Sequence, residues 1–141
     1  MDPSTSSEIV ESIHKGKRGL RRIVNAFNYS MSGLRLAYRH EHAFRQEVLG
    51  AAILLPIACL VPVTAVEHVL LIGSVLFVLI VELLNSSVEA AVDRVGLDMH
   101  HLAKRAKDIG SAAVFLSLLL LGTTWLLIAG PLLLSIRSGP W

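Results

Sequence analysis

From residue 109 to residue 136 the chain runs without a single charged side chain, longer than the roughly 20 residues a helix needs to cross a ~30 Å hydrocarbon core. In lipid every backbone amide must find its partner inside the protein, so such a run is either a helix or part of a closed barrel. Its residues are mostly Leu, Ala and Ile with no alternation of polar and apolar positions, which excludes the barrel strand. Two more runs of the same kind precede it. Residues 48–66 carry no charge, with Pro56 and Pro62 expected to bend this span or mark its end. A second run starts at His68 and is free of acid as far as Val81, with the helical pattern continuing through Glu82 towards Val92. Between these two runs "VPVTAVEH" reads as a short turn. Gly96 is a plausible helix stop, the polar stretch 94–108 is expected as a loop, and Gly130 and Pro131 interrupt the end of the third run. With 53% apolar residues in 141, the fold class expected is an all-α membrane protein with three transmembrane helices.

The segment before the first span has a different character. Residues 1–18 are polar with no apolar period and are expected as a flexible N-terminal tail. No apolar core follows the basic cluster "KGKRGLRR", so a signal peptide is not expected. From Leu20 the residues Ile23, Val24, Phe27, Met31, Leu34 and Tyr38 recur at helical spacing among Arg and Asn, the pattern of an amphipathic helix lying in the headgroup plane. The membrane domain is therefore expected over residues 19–136, with 137–141 a C-terminal tail. Lys and Arg are plentiful before the first span and between the second and third, and absent between the first and second. Both basic segments, and the N-terminus, are expected on the cytoplasmic side, with the C-terminus opposite. A net charge of +2 is too small to argue for nucleic acid as a partner. The lone Cys59 can form no intramolecular disulfide.

One stretch does not suit a simple membrane anchor. In "IVELLNSSVEAAVDRVG" the residues Glu82, Asn85, Ser86, Glu89 and Asp93 fall three, four, seven and eleven places from the first, which puts them on one face of a helix. A carboxylate at the membrane centre costs roughly 3 kcal/mol on insertion scales, so such a face must meet protein, water or ions. Asp93 could instead stand at the interface, paired with the adjacent Arg94. Two other mixed-charge clusters, "RHEHAFRQE" before the first span and "AKRAKDIGS" before the third, belong by the charge argument to the same membrane face. Paired carboxylates hold a divalent cation, another takes a proton, and Lys and Arg neutralise phosphate. The sequence contains no GxxxxGK[ST] and no GxGxxG, so a nucleotide would be held without a standard phosphate loop.

These residues resemble the small prokaryotic integral-membrane diacylglycerol kinase family over residues 20–127. The likeness is densest in "EHAFRQE", in "VLLIGSVLFVLIVELLNSSVEAAVDRVG" and in "AKDIGSAAV". The resemblance implies a homotrimer of three-helix protomers, each with an amphipathic surface helix, and active sites between protomers. It implies transfer of the γ-phosphoryl of MgATP to a membrane lipid, diacylglycerol, giving phosphatidic acid, with Mg2+ as cofactor and ATP as cosubstrate. Carried over by position, Glu82 matches the proton acceptor, and Asn85 the essential polar residue beside it. Glu41 and Glu89 match the metal-holding carboxylates. Arg22, Tyr29, Lys107 and Asp108 match nucleotide contacts, and Asp98, Met99 and His100 fall where the loop approaches the nucleotide. On the lipid side the resemblance points to Arg22, Ser30, Arg35, Arg45, Gln46, Glu47, Glu82 and Ser111. Asn25 and Phe27 depart from the family pattern in the surface helix.

Two other functions compete. Related members of the family prefer undecaprenol as acceptor, although "VELLNSSVEAAVDR" and "KDIGSAA" look more like the diacylglycerol branch. A non-enzymatic transport or assembly subunit would also use intramembrane acids, but its polar residues should continue across the membrane and not gather at one face.

Overall fold

The structure, a computed structural model, describes residues 3–95 and 101–137. Among them it is helical almost throughout, with four α-helices: α1 (Pro3–His40), α2 (His42–Leu60), α3 (Ala65–Val95) and α4 (His101–Arg137). They fall into two units, α1 by itself and a bundle of α2, α3 and α4.

Helix α1 carries the expected apolar stripe, and Leu20, Ile23 and Phe27 on it are all more than 60% exposed. An uncovered apolar stripe on a basic helix suits the headgroup region of a bilayer. The helix extends back to Pro3 through the residues expected as a tail. Glu41 alone separates α1 from α2, with extended backbone at φ −102° and ψ 117°.

The three remaining helices are each long and apolar enough to cross a membrane, over His42–Leu60, Ala65–Arg94 and His101–Leu132. Their boundaries differ from the uncharged runs for one reason: charge marks where lipid ends, and a helix does not stop there. Thus α2 begins at His42, not Val48, because "HAFRQE" is made of residues that continue a helix readily. Pro56 lies inside α2, where the loss of one amide donor is tolerated in a membrane helix, and Pro62 stands beyond its end at Leu60. At the other side of the membrane α4 begins at His101, so the polar stretch 94–108, expected as a loop, is helical from His101 on. Lys104 and Asp108, four residues apart, pair along the first turns of α4. Pro131 is likewise inside α4.

Only residues 61–64 connect α2 to α3. Thr64 caps α3 in a reciprocal arrangement with Glu67: the Thr64 amide and hydroxyl donate to Glu67 Oε2 at 2.8 and 2.7 Å, and the Glu67 amide donates to Thr64 Oγ at 3.4 Å. His68 Nδ1 lies 3.0 Å from the Thr64 carbonyl oxygen.

Helix α3 is the centre of the bundle and packs against both α2 and α4. Its buried positions, Leu71, Ser74, Val75, Val78, Glu82 and Ser86, follow the helical period and form one stripe. On α2 the buried residues Phe44, Ala51 and Ala58 repeat every seven, and the two alanines let the helix axes approach. Two buried serines, Ser74 and Ser117, satisfy their hydroxyls within their own helices by donating to the carbonyls of Leu71 and Val114 at 2.9 and 2.7 Å. Most of the large apolar side chains, such as Ile53, Leu70, Phe77 and Leu119, point outward, as lipid-facing residues do.

Candidate active site

Along α3 the buried stripe changes chemistry at one position. Up to Val78 it is apolar apart from Ser74, whose hydroxyl is satisfied within the helix; the next buried residue is Glu82, only 4% exposed, followed by Ser86 and by half-buried Asn85 and Glu89. The same packing that buries three apolar residues thus buries a carboxylate one turn later. Glu82 lies close enough to Glu89 and Glu41 to feel the charge of both, and Glu47 is close enough to feel Glu82. Four carboxylates from α2, α3 and the residue that starts α2 gather at one end of the bundle.

The N-terminal part of α4 completes this end. Lys107 reaches across to Asp93 on α3 and pairs with it at 2.6 Å. The sequence suggested Arg94 as the partner of Asp93; the residue that meets it comes from the next helix. Asn85 Nδ2 donates to Glu89 Oε1 at 3.1 Å, which ties the amide to the carboxylate one turn on. The Asn85 amide oxygen is buried without a partner, as are Ser86 Oγ and Glu47 Oε2. Three orphaned acceptors or hydroxyls in so small a space are costly unless something supplies hydrogen bonds to them. Their concentration here shows polarity kept at a cost to packing.

A cleft of about 420 Å³ opens between α2, α3 and α4, lined by Gln46, Glu47, Ala51, Val78, Val114 and Leu118 among others. Its walls are mostly aliphatic, and its polar groups, Gln46 and Glu47, come from the first two turns of α2. A cleft that is apolar over most of its length and polar at one place suits an amphiphile.

The residues expected at a site separate into three groups. Glu41, Glu47, Glu82, Asn85, Glu89 and Lys107 come together at the end of the bundle just described. Arg45, Gln46, Asp108 and Ser111 stand on the same turns of α2 and α4; Arg45 Nη2 lies 2.7 Å from His42 Nδ1, and Asp108 pairs with Lys104. Arg22, Tyr29, Ser30 and Arg35 lie on α1, all exposed, with the Ser30 hydroxyl donating to the Ala26 carbonyl at 3.0 Å. Asp98, Met99 and His100 lie outside the described residues. One participant in this region was missed by motif reading. Gly110 of α4 packs directly on the Asn85 amide. A glycine inside a helix weakens it by about 1 kcal/mol relative to alanine, and that is the signal that a close approach was needed there.

Among the described residues no three His, Cys, Asp or Glu side chains gather closely enough to cage a metal ion. Glu41 and Glu89 are nevertheless of the donor type that Mg2+ takes, one or two carboxylates with water and phosphate oxygens completing the shell. The donors are hard oxygens, and one of them is held in place by the Asn85 amide.

Fold and site together define a helical membrane protein with a buried carboxylate face at one end of its bundle. The family profile described as prokaryotic diacylglycerol kinase matches residues 28–129. Similar proteins named diacylglycerol kinase occur in Pseudomonas aeruginosa, 52% identical over 79% of this chain and 90% of the relative, and in Escherichia coli K12, 50% identical over 76% and 88%. A third, from Helicobacter pylori strain 26695, is 40% identical over 84% of this chain and 90% of the relative. The chain belongs to the prokaryotic diacylglycerol kinase family.

Proposed function

We propose that this protein is an ATP-dependent lipid kinase that transfers the γ-phosphoryl of MgATP to the free hydroxyl of diacylglycerol, giving phosphatidic acid. The observation that carries the proposal is the position of Glu82. It stands where a mostly apolar stripe gives way to a polar one, near enough to Glu47 of the cleft and to Glu89 for their charges to act on one another. A group so placed can meet a hydroxyl presented by a lipid and a phosphate presented from water. The names of the relatives favour diacylglycerol over undecaprenol as the acceptor.

Phosphoryl transfer asks a protein for alignment, charge neutralisation and a base. The lipid lies in the cleft with its hydroxyl towards Glu47 and Glu82. Glu82 takes the proton of that hydroxyl as its oxygen attacks the γ-phosphorus, and the bond from that phosphorus to the β–γ bridging oxygen breaks, releasing ADP. Glu41 and Glu89 would hold Mg2+, which when bound would supply neutralisation of phosphate charge. Asn85 holds Glu89 in position for it. Lys107 exchanges its exposed pairing with Asp93 for contact with the phosphates, and Asp108 stands beside it. Arg22 and Tyr29 of α1 and the 98–100 segment contribute to the nucleotide, while Ser30, Arg35, Arg45, Gln46 and Ser111 contribute to the lipid headgroup. The protein works as a homotrimer in the inner membrane with its N-terminus in the cytoplasm, where ATP is available.

The test is transfer of labelled γ-phosphate by the purified protein in mixed micelles, offered diacylglycerol and undecaprenol separately. Labelled phosphatidic acid is expected. Transfer to undecaprenol alone would move the chain to the other acceptor, and ATP-independent behaviour with neither lipid labelled would leave a transport or assembly subunit.

A further inference from the structure

Seen from α4, the contact with α3 is closest at Gly110. A methyl group at this position would overlap the Asn85 amide oxygen and lie 3.2 Å from Asn85 Cγ, but 3.9 Å from Asn85 Cβ, an ordinary contact distance. At Gly73 and Gly122, in the same bundle, a methyl group would meet nothing within 4 Å. The space at residue 110 is therefore matched to one feature of its neighbour, the terminal amide of Asn85, and not to the helix backbone.

The direction of that amide is fixed by chemistry. Glu89 Oε1 can only accept, so the group 3.1 Å from it is the Asn85 NH2, and the amide oxygen is turned to Gly110, buried and without a donor. If residue 110 carried a side chain, the amide would have to rotate away, since the end of a side chain yields more readily than two packed helices. Rotation removes the hydrogen bond to Glu89.

We propose that Gly110 is a positioning residue of the phosphoryl-transfer site. Its missing side chain forms the slot that holds the Asn85 amide in the one orientation that steadies the Glu89 carboxylate. This rests on the reading of Glu89 as a ligand of the nucleotide-bound metal. The glycine acts through Asn85 alone, so its effect must vanish when Asn85 loses its amide.

A double-mutant cycle on the purified full-length protein tests this, using Gly110→Ala, Asn85→Ala and the two combined, with Gly122→Ala as control. Gly110→Ala is expected to keep its oligomeric state and its Tm to within a few degrees. It should lower phosphoryl transfer at least tenfold and raise the KM for MgATP, and the Asn85 side-chain amide resonances should shift in an NMR spectrum. In the combined variant Gly110→Ala should add no loss beyond that of Asn85→Ala, because an alanine at 85 leaves room for an alanine at 110. Gly122→Ala should behave as the parent. Unchanged kinetics in Gly110→Ala would overturn the proposal, and so would equal losses from it in both backgrounds, which would mean that the glycine serves helix packing. Should Gly110→Ala fail to fold, the combined variant must fold, and failure of both overturns the proposal too. The amide resonances report on Asn85 without catalysis. A parent protein that transfers no phosphate, yet whose Asn85 signals move on Gly110→Ala, would reject the kinase reading and keep the slot.

Discussion

The two halves of α3 are built on one pattern and filled with opposite chemistry. In the first half Leu71, Val75 and Val78 are buried, with Ser74 bonded to its own helix beside them; in the second Glu82 and Ser86 occupy the continuation of the same stripe. Helical periodicity determines which positions face inward, and it is indifferent to what stands there. Stability would favour leucine or valine throughout, since burying an unpaired polar group costs free energy and burying an aliphatic one returns it. The second half therefore departs from what folding favours, and the proposed phosphoryl transfer gives that departure a reason.

Substitutions that treat the halves alike should separate them. Glu89→Gln keeps the shape of the side chain and removes the charge, so it should abolish transfer and weaken binding of MgATP measured by calorimetry, without preventing assembly. Near-normal activity would remove Glu89 from the metal site. Next in size is Glu82→Gln. Binding and assembly should survive, and the loss should fall on kcat by about 10²-fold or more, the ordinary weight of a general base. A raised KM for ATP with intact turnover would turn Glu82 from base into ligand.

In the apolar half the expected response is the reverse. Leu71 is fully buried, and Leu71→Ala should lower stability in detergent unfolding by about 2 kcal/mol or more, while the kcat of the folded fraction stays near that of the parent. A large kcat effect there would show that the halves are not separable. The smallest effect is expected for Asp93→Asn. Its ion pair with Lys107 joins two exposed groups, and such pairs contribute roughly 0–1 kcal/mol, so Tm should scarcely move. Reporter fusions supply one further check: residues near Ser32 and Lys104 are expected in the cytoplasm and Trp141 outside. Finding Lys104 outside would put the carboxylate end of the bundle out of reach of ATP.

The sequence made the number of spans and the polar face of α3 plain, because both depend only on spacing along one helix. Glu82, Asn85, Ser86 and Glu89 share a side for geometric reasons that need no tertiary knowledge. What required the structure was everything between helices. Asp93 was matched to its neighbour in sequence, Arg94, and meets Lys107, since two residues adjacent on a helix point about 100° apart. The polar stretch 94–108 reads as a loop because it is charged, yet "HLAKRAKD" within it is helical. The importance of Gly110 was visible only once α4 had been laid on Asn85.

The reciprocal cap at Thr64 and Glu67 has a bearing on how the chain enters the bilayer. The tip between α2 and α3 carries no Lys or Arg, and its carboxylate already accepts two hydrogen bonds from Thr64. A hairpin with such a tip has no Lys or Arg to carry across the hydrocarbon, and its one carboxylate is partly satisfied by Thr64, which favours threading both helices across together, as one plug. Neither has to wait for the other to be anchored. Replacing Glu67 by lysine would put an unpaired cation at the leading point, and the yield of correctly inserted protein in a membrane-integration assay should fall. An unchanged yield would mean that the helices enter one after the other.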